Sequence, residues 1–210
     1  ILFSHRGPYL LCALALLPLV AGCDDGLGTS GDAAVQIQVT DLPSDDLRSA
    51  EVWISQVYLQ GGPGHVADTT DASTKGRVLL FDDKDHPLHL DLLALRDGVV
   101  ANLTDTVKVD AGAYAQLRIV VDSAKVTLRQ GLLFEDGSTT ARLQVPSGST
   151  SGVKVQLGSD VGTADGALTK LLVDFDVNQN FVVQLKTETI VKGVLFTPVI
   201  HEKLRSSTQL

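Results

Sequence analysis

The residue with the most specific chemical context is Cys23. Val20-Ala21-Gly22-Cys23 places a branched aliphatic residue at −3, small residues at −2 and −1, and a thiol at the position that lipoprotein-processing enzymes modify. Upstream lie a basic start at His5 and Arg6 and an apolar run over residues 9–20, the order of a secretory signal with its cleavage site. The apolar block is only about 12 residues and contains Pro18, short of the roughly 20 that a spanning helix needs. The expectation is therefore a lipobox: residues 1–22 form a signal peptide that is removed, and Cys23 carries a diacylglyceryl thioether. Residues 23–32, rich in Gly, Ser and Thr, then act as a flexible leash. The chain has one other cysteine, Cys12, inside the segment expected to be lost, so the domain has no thiol for a disulfide, a metal or catalysis.

Asp174 and Asp176 are two apart in a strand-like stretch, which would point both carboxylates to one face and begin a calcium site. Two oxygen donors fall short of a site, no Asp-x-Asp-x-Asp-Gly loop is present, and a polar strand face accounts for the pair equally. They are weak metal candidates, and no cofactor is implied. The hydroxyl-rich segment over residues 147–152 could offer amides and hydroxyls to a sugar or anion. It lacks the Lys and helix of a phosphate loop, and it serves equally as a turn. His86 and His89 flank Pro87-Leu88, with His65 and His201 far away in sequence; surface or edge-strand histidines explain that spacing as well as a metal does. Trp53 is read as core, on one strand face with Val57 and Leu59, whereas an exposed Trp would suggest carbohydrate stacking.

These residues need a scaffold, and the pattern of the chain is period two. From Ala33 onward, short β-branched runs alternate with clusters of Gly, Asp, Ser and Pro. Runs at residues 35–39, 51–60, 77–81, 88–93, 106–109, 114–121, 124–128, 132–134, 141–145, 153–157, 168–177, 181–187 and 191–200 read as strands, with one helical turn over 92–98. Aromatics are 5% of the chain, so Val, Leu and Ile must build the core. The expected fold is all-β: an antiparallel β-sandwich, immunoglobulin-like or transthyretin-like, with a barrel as the alternative. One domain is expected over residues 33–202, with a frayed polar tail over 203–210.

The net charge of −8 and the lack of any Lys/Arg cluster after Arg6 argue against nucleic acid as a partner. They argue equally against electrostatic adsorption to anionic lipid, so membrane contact is expected through the lipid on Cys23.

Several short pieces together point to a family. They are Asp41-Leu42-Pro43 with Asp45-Asp46, Val52-Trp53-Ile54, Asp91-Leu92-Leu93, Gly112-Ala113-Tyr114, Gln116-Leu117-Arg118 and Val145-Pro146-Ser147-Gly148. Ser151-Gly152-Val153-Lys154, Asp174-Phe175-Asp176-Val177 and Pro198-Val199-Ile200 complete the set. In order and spacing they resemble the domain of unknown function family 4382 over most of residues 33–201. The resemblance implies a bacterial envelope lipoprotein of uncharacterised role with a β-sandwich domain, and it carries over no catalytic residue.

The leading functional expectation is a lipid-anchored, non-enzymatic envelope module, structural or binding a glycan or protein partner at its loops. The second is a calcium, small-ligand or glycan-binding lipoprotein using Asp41, Asp45, Asp46, Asp174 and Asp176. A third, a hydrolase, would require the fold to bring His86 or His89 beside a serine and a carboxylate.

Overall fold

The computed structural model describes residues 33–42, 44–62, 76–146 and 151–210. Cys23 with its signal and leash, His65 and residues 147–150 of the hydroxyl-rich loop lie outside the described residues. The described chain forms β1 (Ala33–Thr40), β2 (Leu47–Gln60), β3 (Arg77–Asp82), β4 (Leu88–Asp91), β5 (Ala101–Asn102), β6 (Val107–Val109), β7 (Gly112–Tyr114) and β8 (Gln116–Leu128). It continues with β9 (Leu133–Phe134), β10 (Thr140–Leu143), β11 (Val153–Gln156), β12 (Val161–Thr163), β13 (Ala167–Asp174), β14 (Phe181–Leu185), β15 (Ile190–Phe196) and β16 (Ile200–Gln209). A single-turn helix α1 (Val177–Asn180) follows β13, and a 3-10 turn (Leu92–Leu95) occupies the place of the expected helical turn. No helix among the described residues is long and apolar enough to cross a membrane.

The chain is all-β as expected, but the purely antiparallel arrangement is corrected. The largest sheet has the order β3-β2-β8-β11-β16-β13-β1-β5, with β4 beside β2, β10 beside β8 and β6 beside β1. It is mixed and curls into a half-barrel. β1 runs parallel to β13 from Ala34↔Leu168 to Thr40↔Asp174, and β11 runs parallel to β16. Parallel partners need long crossovers. β1 and β13 are separated by most of the chain, which is why local turn signals favour hairpins and miss this pairing. The curled sheet encloses an aliphatic core, with Val35, Ile37 and Val39 of β1 facing Leu171 and Val173 of β13, all fully buried. Each such side chain contributes about 1.5–3 kcal/mol relative to exposure.

The longest antiparallel pair, β2 with β8, runs from Leu47↔Leu128 to Gln60↔Gln116, and its register breaks between Trp53 and Gln56. Ser55 on β2 and Asp122 on β8 have no opposite partner there. A bulge residue shifts the period-two pattern by one. On β2 the buried aliphatics accordingly change from Ala50, Val52 and Ile54 to Val57 and Leu59. On β8 they change from Leu117, Ile119 and Val121 to Ala124, Val126 and Leu128. Runs 114–121 and 124–128, expected as two strands, are therefore one bent strand for most of their length.

The expected frayed tail over 203–210 is also corrected. Residues 203–209 belong to β16 and pair with β13 from Ala167↔Gln209 onward. The polar composition reflects a strand whose side chains are exposed on both faces here; paired backbone, not apolar side chains, holds it in place.

Candidate functional site

Three of the sequence candidates meet at the carboxyl ends of β1 and β13. Parallel pairing sets Thr40 opposite Asp174, and this gathers Asp41, Asp174 and Asp176. The expected same-face pair on one strand is corrected: β13 ends at Asp174, and Asp176, with φ of 43°, is the N-cap of α1. Each carboxylate already has partners. Asp174 Oδ2 is 3.1 Å from Lys203 Nζ, and its Oδ1 accepts from the Asp176 amide at 3.1 Å. Asp176 accepts from the amide and side chain of Gln179. Among the described residues no group of three His, Cys, Asp or Glu is placed to hold a metal ion. Asp45 and Asp46 do not join the three, and Asp46 pairs with Arg129 at 3.5 Å instead.

Asp41 is the unusual member. It is 2% exposed, and its Oδ1 accepts from the Val177 amide at 2.9 Å while Oδ2 is buried with no hydrogen-bond partner among the described residues. Burial pushes its carboxyl up to about 7, against the lowering effect of the Val177 and Leu42 amides, and Asp174 and Asp176 push in the same direction as burial. Asp41 ties the end of β1 to the start of α1.

Ser151 and Gly152, the described end of the hydroxyl-rich segment, line a groove of about 410 Å³ between β11 and the turn after β15. One wall is the Ser151-Gly152 backbone. Tyr58 Oη donates to the Ser151 carbonyl at 2.7 Å, and Arg118 donates to the carbonyls of Ser151 and Gly152 at 3.1 and 3.3 Å. Gly152 has φ of 67°, and a Cβ there would lie 3.2 Å from the Ile119 carbonyl oxygen. The opposite wall, Thr197 to Val199, is held by Asn180. This fully buried side chain accepts from the Val199 amide at 2.8 Å and donates to its carbonyl at 2.9 Å. Sequence reasoning gave no role to Asn180, because its partners lie 19 residues away.

The third location is the outer face of β4, β2, β8 and β10, where the bulge places Trp53. The tryptophan is not core: it is half-buried, on the face opposite Val52 and Ile54. Strict alternation from Trp53 to Val57 fails because Ser55 is the extra residue. His89, directly across on β4, stacks on the indole with ring centroids 4.5 Å apart and planes 12° from parallel. Glu51, one step along the same face, bonds His89 Nε2 at 3.0 Å and Lys125 Nζ at 2.9 Å. The hydrogen bond from Lys125 is the main reason that the Glu51 carboxyl lies below its usual range, with His89 adding to it. The next residue in that cross-strand row is Arg142 on β10, opposite Lys125. Trp53, Lys125, Thr140, Ala141 and Arg142 line a surface cavity of about 370 Å³. It lies on the β8 and β10 side of the indole, away from His89.

The two histidines go to different carboxylates. His86 is largely exposed, 3.6 Å from Asp83, while His89 belongs to the Trp53 face. The arrangement at Trp53 supplies an aromatic ring, two cations and a hydroxyl around a concavity, the composition of a small-ligand binding surface.

Comparison with curated proteins and with solved structures gives no match. The model of a protein family described as a domain of unknown function matches residues 32–193, which takes in the Trp53 face and the Asp41 junction and stops before β16. That match spans well over half of the sequence, and the chain belongs to the domain of unknown function family 4382.

Proposed function

We propose that this chain is a non-enzymatic binding module of the bacterial cell envelope, held at a membrane by lipid on Cys23, that presents the outer face of β2, β4, β8 and β10 to a glycan. The observation that carries the binding role is Trp53, a half-buried tryptophan walling a cavity that also holds Lys125 and Arg142. A large aromatic ring left partly in water on a polar sheet face costs hydrophobic stabilisation unless a ligand covers it. The lipobox at Val20-Ala21-Gly22-Cys23 supports the address, at the periplasmic face or the outer surface of the cell.

Two measurements on the full-length protein test the reading. Wild type and Cys23→Ala are expressed side by side; the wild type carries a lipid mass and sediments with membranes, and the variant does neither. Retention on purified envelope polysaccharides then tests the role. Wild type is retained and Trp53→Ala elutes freely, whereas equal elution of both would overturn the glycan-binding role.

A further inference from the structure

The charges around Trp53 are not balanced, and that imbalance indicates a ligand class. Glu51 sits between His89 and Lys125 and neutralises Lys125 at 2.9 Å. Asp91, at the far end of the same cross-strand row, accepts from the backbone amides of Ala50 and Leu93 at 3.1 and 3.2 Å. Arg142 closes the row at the cavity side, and among the described residues its guanidinium has no hydrogen-bonding or ion-pair partner. The cavity therefore carries one uncompensated positive charge, on the planar group that best matches a carboxylate. The rest of the chain is acidic, with a net charge of −8, so this is a local feature and not part of a general basic surface.

One aromatic wall faces this guanidinium. His89 covers the β4 side of the indole, which leaves the side toward β8 and β10 for a ligand. The uncharged polar side chain in the lining is the Thr140 hydroxyl, a donor-acceptor suited to a sugar hydroxyl. The cavity volume of about 370 Å³ lies at the small end of the roughly 300–1,000 Å³ range of small-molecule sites, the scale of one ring and not of a folded partner.

We propose that this site binds an acidic saccharide, with the apolar face of one uronate ring against Trp53 and its carboxylate on Arg142. A single net charge suits a carboxylate monoanion better than a phosphate dianion. The proposal rests on the glycan-binding reading above and specifies the ligand that it takes.

Trp53 is the only tryptophan in the chain, so its fluorescence reports this site alone. The full-length protein is titrated with hexagalacturonate, with cellohexaose as the neutral counterpart, and with a short polyglutamate peptide as carboxylate without a sugar ring. Hexagalacturonate is expected to shift the emission saturably, and more weakly as salt is raised. Arg142→Gln, an exposed substitution, is expected to weaken that binding at least about tenfold, the loss that accompanies removal of one charge-assisted hydrogen bond. Equal binding of cellohexaose, or an unchanged affinity in Arg142→Gln, would overturn the carboxylate recognition while leaving the glycan-binding reading intact. Equal binding of polyglutamate would overturn the saccharide assignment. No response to any saccharide, by fluorescence or by calorimetry, would overturn both.

Discussion

Ser55 Oγ donates to Asp122 Oδ1 at 2.8 Å, and these two residues are the unpaired positions of β2 and β8 at the register break beside Trp53. The bond joins the two bulges, and the bulges exchange the inner and outer faces of both strands. The register break that it spans sets Trp53 on the outer face.

Removing the acceptor tests that link. Ser55 is 1% exposed, so Asp122→Ala leaves a buried hydroxyl without its partner and is expected to cost about 1–3 kcal/mol in denaturant unfolding. The emission of Trp53 should shift as well, because its strand register depends on the bulge. Unchanged emission together with unchanged stability would mean that the bulge stands without this bond.

Asp41 should leave a signature in the pH dependence of stability. Its carboxyl lies at about 7 in the fold against an ordinary 3.8, so between those values the folded chain holds a proton that the unfolded chain has lost. Stability contributed by this group is full below about pH 4 and falls as pH rises toward 7. The slope is at most about 1.4 kcal/mol per pH unit, and the curve is flat above 7. Asp41→Asn cannot titrate, so the difference between wild-type and variant stabilities should change across pH 4–7. Parallel curves would show that Asp41 titrates normally.

Glu51 has the opposite sign. Its carboxyl is held below the usual 4.5, chiefly by the Lys125 hydrogen bond, so the stabilisation is present at neutral pH and lost as pH falls through the folded value. Lys125→Met is expected to cost no more than about 1 kcal/mol at pH 7, as for other partly exposed ion pairs. It should also raise the Glu51 titration midpoint in a carboxyl-detected NMR experiment; an unmoved midpoint would remove Lys125 as the cause.

Asn180→Ala takes away the partners of the Val199 amide and carbonyl at once. The bonds to Val199 are part-buried, so the expected loss is about 0.5–1.5 kcal/mol for each, and Asn180→Asp is expected to be no better because its fully buried carboxylate would face the Phe175 and Val199 carbonyls with no donor to offer. Thermal unfolding of the three proteins gives the order, and an Asp variant as stable as wild type would contradict the assigned bonds.

Residues 203–209 provide a test by truncation. They pair with β13 over most of its length, and ending the chain at Glu202 strips that edge and the Lys203 contact to Asp174. The truncated protein is expected to unfold at markedly lower denaturant with a smaller slope, since less surface remains to be exposed. A midpoint and slope equal to those of the full chain would restore the description of this segment as a tail.

What the sequence alone determined follows from short-range physics. Period-two alternation with Gly, Asp and Pro breaks is enough to show an all-β chain, because side-chain direction in a strand is set by neighbouring residues. The turn after Asp91 was visible for the same reason, with Asp91 capping Leu93 two residues on. Ordered short pieces such as Asp41-Leu42-Pro43 and Asp174-Phe175-Asp176-Val177 were sufficient to indicate the family that the match over residues 32–193 shows.

The tertiary structure decided what depends on distant partners. The parallel pairing of β1 with β13 joins residues more than a hundred positions apart, so the meeting of Asp41 with Asp174 has no local signal. The polar residues 203–209 become a strand because β13 offers them an edge, although their own composition favours solvent. Alternation carried unbroken from Val57 and Leu59 assigns Trp53 to the core. One extra residue at Ser55, matched by Asp122 on the neighbouring strand, reverses that assignment and places the indole beside Arg142 on the outer face. A bulge is selected by the register of two strands together, and neither strand's sequence encodes it alone.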